Sequence, residues 1–238
     1  MPDVVMAPAK LTVSLRITGV RADGYHLIDA EMVSVDLSDR LTFSDGDGLD
    51  LHGAGPDVPT DGSNLVARAL SAVDRRAHVR VDKRIPSGAG LGGGSTDAAA
   101  VLRWAGCDDL ALAVTLGADV PFCVLGGRAR VQGIGDVVDP LPHEARTYTL
   151  LTPPLHCSTV EVYRAWDRLG GPTGHPSGND LEPAALAVEP RLAEWRDRLG
   201  DASGETPTLA GSGSTWFVEG NHPAPTHLVV QTLPPADR

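Results

Sequence analysis

Pro86-Ser-Gly-Ala-Gly-Leu-Gly-Gly-Gly-Ser-Thr-Asp97 decides how this chain is to be read. Five of the seven residues from Gly88 to Gly94 are glycine. The alternating stretch His78 to Ile85 before them predicts a strand, and Ala98 to Trp104 after them predicts a helix. A glycine run between a strand and a helix lets bare backbone amides approach an anion closely, and the positive end of the helix dipole points at the same place. The simplest ligand for that geometry is a phosphate chain. A flexible linker is the competing reading. Leu91 inside the run, and Ser95-Thr96-Asp97 offering capping and first-turn side chains behind it, argue against a linker. No Lys-Ser/Thr pair closes the loop, so it is not a Walker A motif. Gly88, Gly90 and Gly93 fit G-x-G-x-x-G, but no clear parallel strand leads to an acidic residue about 20 residues on, as a dinucleotide site requires.

The 238 residues carry a formal net charge of -11 and are 42% hydrophobic, enough for one large domain or two intimately packed ones. A strongly acidic chain is repelled by nucleic acid and by anionic lipid, so neither is an expected partner. An acidic protein that binds an anion must concentrate its cations and N–H donors locally, which puts weight on Lys10, Lys83 and the glycine loop. Three cysteines at wide spacing, Cys107, Cys123 and Cys157, argue against a disulfide framework and fit a reducing cytoplasm. Eight histidines are scattered without zinc-ligand spacing. No signal peptide and no stretch approaching a membrane span is expected.

Leu11 to Thr18, Asp29 to Leu37 and Arg40 to Phe43 alternate apolar and polar residues and predict strands. Asn64 to Arg76 has helical spacing, and Asp108 to Leu116 reads as a second short helix. Gly117 to Phe122, with Pro121 inside, reads as a loop. Arg128 to Val131, Tyr148 to Thr152, Thr215 to Glu219 and His227 to Thr232 predict strands. Thr159 to Leu169 and Glu189 to Leu199 predict amphipathic helices. The mixture lacks regular βαβ alternation and points to an α+β fold in two lobes with a cleft between them. Prolines and polar residues between Pro140 and Thr149 put the expected boundary there, dividing the chain into 1–145 and 146–238.

Taken singly, Lys10 is an ordinary strand-end lysine and Asp119 an ordinary turn-former before Pro121. Together with the glycine loop they acquire another meaning. Pro8-Ala-Lys10, Pro86 to Thr96 and Leu209-Ala-Gly-Ser-Gly-Ser214 resemble the three motifs of the GHMP small-molecule kinases. Arg21-Ala-Asp-Gly-Tyr-His26, Gly117-Ala-Asp-Val-Pro-Phe122, Ser158-Thr-Val-Glu-Val-Tyr163 and Asn179-Asp-Leu-Glu-Pro183 are most similar to a branch acting on a cytidyl diphosphate alcohol of non-mevalonate isoprenoid synthesis. These segments fall in the expected order and cover most of the chain.

The resemblance implies a ribosomal-protein-S5-like N-terminal lobe, a ferredoxin-like C-terminal lobe, and ATP-dependent phosphorylation of a tertiary hydroxyl. Asp119 matches the catalytic base and Lys10 the catalytic lysine. Pro86, Ser87, Gly88, Ala89, Gly90, Leu91, Gly92, Gly93, Gly94, Ser95 and Thr96 match the segment that cradles ATP, with Mg²⁺ on the phosphates and the Ser95 hydroxyl as its expected protein contact. Tyr25 and Tyr163 match positions on the two faces of a cytosine ring, and His26 the reader of its edge. Thr159 and Thr12 match substrate-side positions, and Gly211, Ser212 and Gly213 would line the diphosphate. The implied partner is that small molecule, and the implied assembly is a monomer or weak homodimer. Two departures stand out. Thr12 replaces the family's usual Asn, and the chain is trimmed between Asn64 and Lys83 and between Ser95 and Asp119. Another GHMP kinase substrate, or a non-catalytic nucleotide-binding relative, are the rival readings.

Overall fold

The computed structural model describes residues 2–53, 55 and 58–236. The chain opens with two long strands, β1 (Asp3–Val20) and β2 (His26–Ser44), paired antiparallel along their whole length. Then follow β3 (Gly48–His52), α1 (Leu65–Ala72), β4 (His78–Asp82), α2 (Gly93–Trp104), α3 (Leu110–Leu116), α4 (Val120–Leu125), β5 (Arg128–Gly133) and β6 (Val137–Leu141). The remainder is β7 (Thr147–Leu151), α5 (Thr159–Arg168), α6 (Glu182–Val188), α7 (Leu192–Ser203), β8 (Thr208–Leu209), β9 (Trp216–Glu219) and β10 (Leu228–Gln231).

One sheet runs β3-β4-β2-β5-β6, with β1 also on β2. Its pairings are antiparallel apart from β3 with β4, which α1 joins as a crossover. The second sheet is antiparallel, in the order β10-β7-β9-β8. This is the α+β, two-lobed arrangement expected.

Three apolar clusters hold it together. The first lies between the large sheet and α1 to α4, around Leu41, Phe43, Val79, Val101 and Phe122. The second gathers α5, α6, α7 and β9, and it also takes Leu15 and Ile17 from β1. The third joins the sheets: Leu11 and Val35 meet Tyr148, Leu150 and Phe217, with Ala89 and Leu91 of the glycine loop among them. β1 therefore contributes to the cores of both lobes.

Several elements depart from their expected limits. β1 and β2 are far longer than the alternation suggests, because register shifts at Pro8/Ala9, Thr12/Ser14 and Ile17/Gly19 reset which face each residue takes. The segment read as a loop around Pro121 is helix α4, with the proline in its first turn, where its missing N–H costs nothing. Pro183 occupies the same kind of place in α6, which the sequence reading left out. α1 stops at Ala72, short of Arg76, as the chain turns through Asp74 at φ 49°. α2 begins at Gly93, inside the glycine run, with Gly92 as a left-handed N-cap. Ser95, Thr96 and Asp97 therefore do not cap it; they already lie within the helix.

Candidate active site

Lys10 leaves β1 buried, 6% exposed, along a channel walled by Gly92 and Gly211. A Cβ on Gly92 (φ +70°) would lie 2.7 Å from Lys10 Cγ, and one on Gly211 3.6 Å from Lys10 Nζ. At the end of that channel the ammonium donates to Thr12 Oγ1 at 3.0 Å and stands 3.3 Å from Asp119 Oδ2. Thr12 thus supplies an acceptor for Lys10 where the family's Asn would stand. Asp119 is the residue preceding helix α4, and its side chain is 32% exposed. The turn between β5 and β6 buttresses it, since Gly135 packs so tightly on the Ala118 carbonyl that a side chain there would collide.

The glycine loop alternates two kinds of residue. Ala89 and Leu91 are buried in the third cluster. Gly88, Gly90 and Gly92 between them take φ of +69°, +79° and +70°, conformations that L side chains rarely adopt. Leu91 O accepts from Lys10 N at 3.1 Å, and Ala89 O from Thr215 N at 3.1 Å. The loop is thereby fastened to β1 on one side and to the 210–215 loop on the other. Thr96 N donates to Gly92 O as the first bond of α2, which leaves the amides of Gly93, Gly94 and Ser95 without helical acceptors. Three such donors at a helix N-terminus, behind a loop stripped of side chains, are a fit for a phosphate chain.

Opposite this loop lies the second lobe's contribution. Ser158 caps α5, which presents Thr159 and Tyr163. Thr159 and Ser212 share a hydroxyl–hydroxyl bond of 3.0 Å. Burial, with the charge of Asp119 adding, holds the Tyr163 hydroxyl well above the usual phenol range. His26 packs on Tyr163 with ring centroids 4.8 Å apart, and its Nε2 lies 2.8 Å from Asp167 Oδ1. Tyr25, at the tip of the β1–β2 hairpin, is 61% exposed.

These groups converge. One cavity of about 760 Å³ is lined by Lys10, Thr12, Tyr25, His26, Asp119, Thr159, Tyr163, Gly211 and Ser212, together with Gly88, Gly90, Gly92, Gly93, Gly94 and Ser95. Other expected site residues stand outside its lining. Pro86 and Ser87 are exposed on the approach to the loop. The side chains of Ala89 and Leu91 face the core, and the Thr96 hydroxyl donates to Pro8 O at 2.6 Å. Gly213 N donates to Ala210 O at 3.0 Å, so that amide is not free for a diphosphate. Lys83 also corrects the sequence reading: its ammonium is enclosed by Asp39 and Asp97 rather than offered to a ligand.

The sequence reading gave no role to Asn179. This residue is buried, and its amide donates to Leu209 O at 2.8 Å and Gly211 O at 2.7 Å, holding the 209–214 loop against the cavity. His156, whose ring lies over Gly88, and Asp167 beside His26 were also missed. Nothing in local spacing marks contacts made across 30 residues or more. Among the described residues, no group of three His, Cys, Asp or Glu could hold a metal ion. No helix among them is long and apolar enough to cross a membrane.

Comparison with known proteins gives the same picture at the level of whole chains. The profile of the GHMP kinases N terminal domain matches residues 64–127. The 4-diphosphocytidyl-2-C-methyl-D-erythritol kinase of Paracoccus denitrificans is 36% identical over 232 residues, covering 89% of this chain and 84% of the relative. Its namesake from Granulibacter bethesdensis is 35% identical and spans 97% of this chain and 89% of its own. A crystal structure of 4-(cytidine 5'-diphospho)-2C-methyl-D-erythritol kinase superposes with a TM-score of 0.79 at 31% identity, covering 97% of this chain and 99% of that one. The Methanococcus jannaschii mevalonate kinase shares the fold alone, with a TM-score of 0.58 at 12% identity over 93% of this chain and 91% of its own. The chain belongs to the GHMP kinase family, in its 4-diphosphocytidyl-2-C-methyl-D-erythritol kinase branch.

Proposed function

We propose that this protein transfers the γ-phosphoryl group of ATP to the 2-hydroxyl of 4-diphosphocytidyl-2-C-methyl-D-erythritol, a step of non-mevalonate isoprenoid precursor synthesis. The observation that carries this reading is the meeting of Lys10 and Asp119, 3.3 Å apart, in the cavity that the glycine loop lines. We read residues 1–145 as the nucleotide lobe and 146–238 as the lobe that completes the alcohol site. The chain is taken to act in the cytoplasm as a monomer or weak homodimer.

Asp119 accepts the proton of the attacking hydroxyl, and its partial exposure leaves room for that hydroxyl to reach it. Lys10 orients the hydroxyl and meets charge developing on the transferring group. Thr12 fixes the direction of the ammonium by accepting one of its protons. The amides at the start of α2 hold the phosphate chain in line with the hydroxyl, so most of the acceleration comes from positioning and electrostatics. Mg²⁺ supplies charge neutralisation on the phosphate oxygens. Ser95, in the first turn of α2 and in the cavity lining, is the residue whose hydroxyl would meet it. Tyr25 and Tyr163 hold the cytosine ring by stacking, and His26 meets its polar edge.

The test is direct. Purified protein is incubated with Mg-ATP and the cytidyl alcohol, and ADP and phosphorylated product are quantified. Stoichiometric formation of both is expected, with no turnover on homoserine or mevalonate. Turnover on one of those alcohols alone would overturn the substrate assignment, and ATP binding without turnover on any alcohol would overturn the kinase assignment.

A further inference from the structure

Lys83 follows β4, and its side chain is 6% exposed. Its ammonium bonds to Asp39, which is fully buried, and to Asp97 Oδ2 at 2.6 Å, on a side chain 6% exposed. These partners sit at opposite ends of the glycine loop. Asp39, near the end of β2, also accepts from the backbone amides of Arg84 and Ile85, the latter at 2.8 Å, which lead into Pro86. Asp97 is the fifth residue of α2, the helix into which the loop runs. The loop's leading and trailing ends are thus tied to one buried ammonium. Gly93, the first residue of α2, packs against the knot: a Cβ there would lie 3.3 Å from Lys83 Nζ and 3.2 Å from Ile85 Cγ2. None of the three charged side chains lines the cavity.

We propose that Asp39, Lys83 and Asp97 are positioning residues that hold the two ends of the glycine loop at a fixed separation, so that its amides form a ready-made set for the phosphate chain of ATP. This rests on reading that loop as the nucleotide site.

The physical case has three parts. A loop with five glycines in seven residues loses much conformational entropy on ordering, and an outside constraint takes that cost at folding rather than at binding. An ammonium bridging two carboxylates on separate elements is such a constraint, because it fixes three backbone segments at one point. Finally, the knot is poorly tuned for stability alone. Two carboxylates face one cation, and the buried Asp97 Oδ1 has no hydrogen-bond partner among the described residues. Burial pushes the Asp97 carboxyl up to about 7 against the pull of Lys83. Burial would lower the Lys83 ammonium, but Asp97 and Asp39 outweigh it and hold it above its usual value.

The experiment is a split of kinetic constants in two variants of the full chain. Asp97→Asn keeps the shape of the side chain and removes its charge. Asp39→Asn does the same to the carboxylate that faces the loop's leading end. Each is expected to raise the Mg-ATP KM about 10-fold, which corresponds to about 1.4 kcal/mol. The KM for the cytidyl alcohol, and kcat at saturating ATP, should stay within about 3-fold of the parent. Calorimetric titration with Mg-ADP should show the same weakening. Lys83→Arg, which keeps the cation, should bind Mg-ADP more tightly than Lys83→Met. Unchanged nucleotide affinity in both Asp97→Asn and Asp39→Asn, even with a lowered melting temperature, would reduce the knot to a structural role and overturn the proposal. A parent that fails to bind Mg-ADP at all would remove the nucleotide-site reading and this proposal with it.

Discussion

Replacing Gly92 by Ala tests the catalytic geometry at its tightest point. Two costs are separable. Gly92 has φ +70°, and an L residue in that region loses about 1–2 kcal/mol. The added Cβ would also lie 2.7 Å from Lys10 Cγ, against the roughly 3.5–4.0 Å that two carbons prefer. The lysine stem must therefore move by about 1 Å. Its ammonium begins 3.0 Å from Thr12 and 3.3 Å from Asp119, so a shift of that size breaks one contact or both. Misplacement by an ångström costs about 100-fold in rate, or about 2.7 kcal/mol of barrier. Gly106 provides the control. It follows the opposite end of the same helix, also at φ +70°, and nothing among the described residues would meet its Cβ within 4 Å. Gly92→Ala and Gly106→Ala should both melt a few degrees lower, about 2–4 °C per kcal/mol for a chain of this size. Only Gly92→Ala should lose kcat, by about 100-fold at saturating ATP and alcohol, followed through ADP release. A Gly92→Ala enzyme within about 3-fold of the parent, or an equal loss in Gly106→Ala, would refute the reasoning.

Asp119→Asn keeps size and removes the base; kcat should fall by about 100- to 10,000-fold while the Mg-ATP KM stays within about 3-fold, and steady-state kinetics against both substrates will read this. Tyr25→Ala removes an exposed ring from the cavity lining and should raise the KM for the cytidyl alcohol about 10-fold with little change in kcat. The Asp97 carboxyl, raised from 3.8 to about 7 in the fold, binds its proton more tightly folded than unfolded. Its contribution to stability is therefore complete below pH 4 and is lost as pH rises towards 7. Melting curves across that range should show the parent losing stability with rising pH relative to Asp97→Asn, and parallel curves would refute the assignment.

Much of this was legible before any coordinates. The glycine run announced its own position, because strand alternation before it and helix formers after it leave few other conformations. Lys10 and Asp119 were legible only together with that run, since neither stands out alone. What escaped has a common physical cause. The bulges of β1 and β2 scramble a period-2 pattern, so two long strands read as three short ones. Pro121 and Pro183 look like breakers but sit in first turns, where a helix tolerates them. Lys83 looked like a cation waiting for an anion, because nothing in local sequence places Asp39, 44 residues away, against it. The Asn179 amide is likewise tied to carbonyls 30 and 32 residues on.

The double membership of β1 limits how the molecule can be divided. Leu15 and Ile17 belong to the second core, while Arg16 and the Ile17 amide satisfy the fully buried Asp180 carboxylate. A fragment cut at residue 145 would leave that buried carboxylate with the His175 amide but without Arg16 and the Ile17 amide, and its apolar wall missing, so residues 146–238 expressed alone should aggregate or stay unfolded. Supplied in trans with residues 1–145, the same fragment should recover, making this fold a candidate for split-protein complementation rather than for modular exchange.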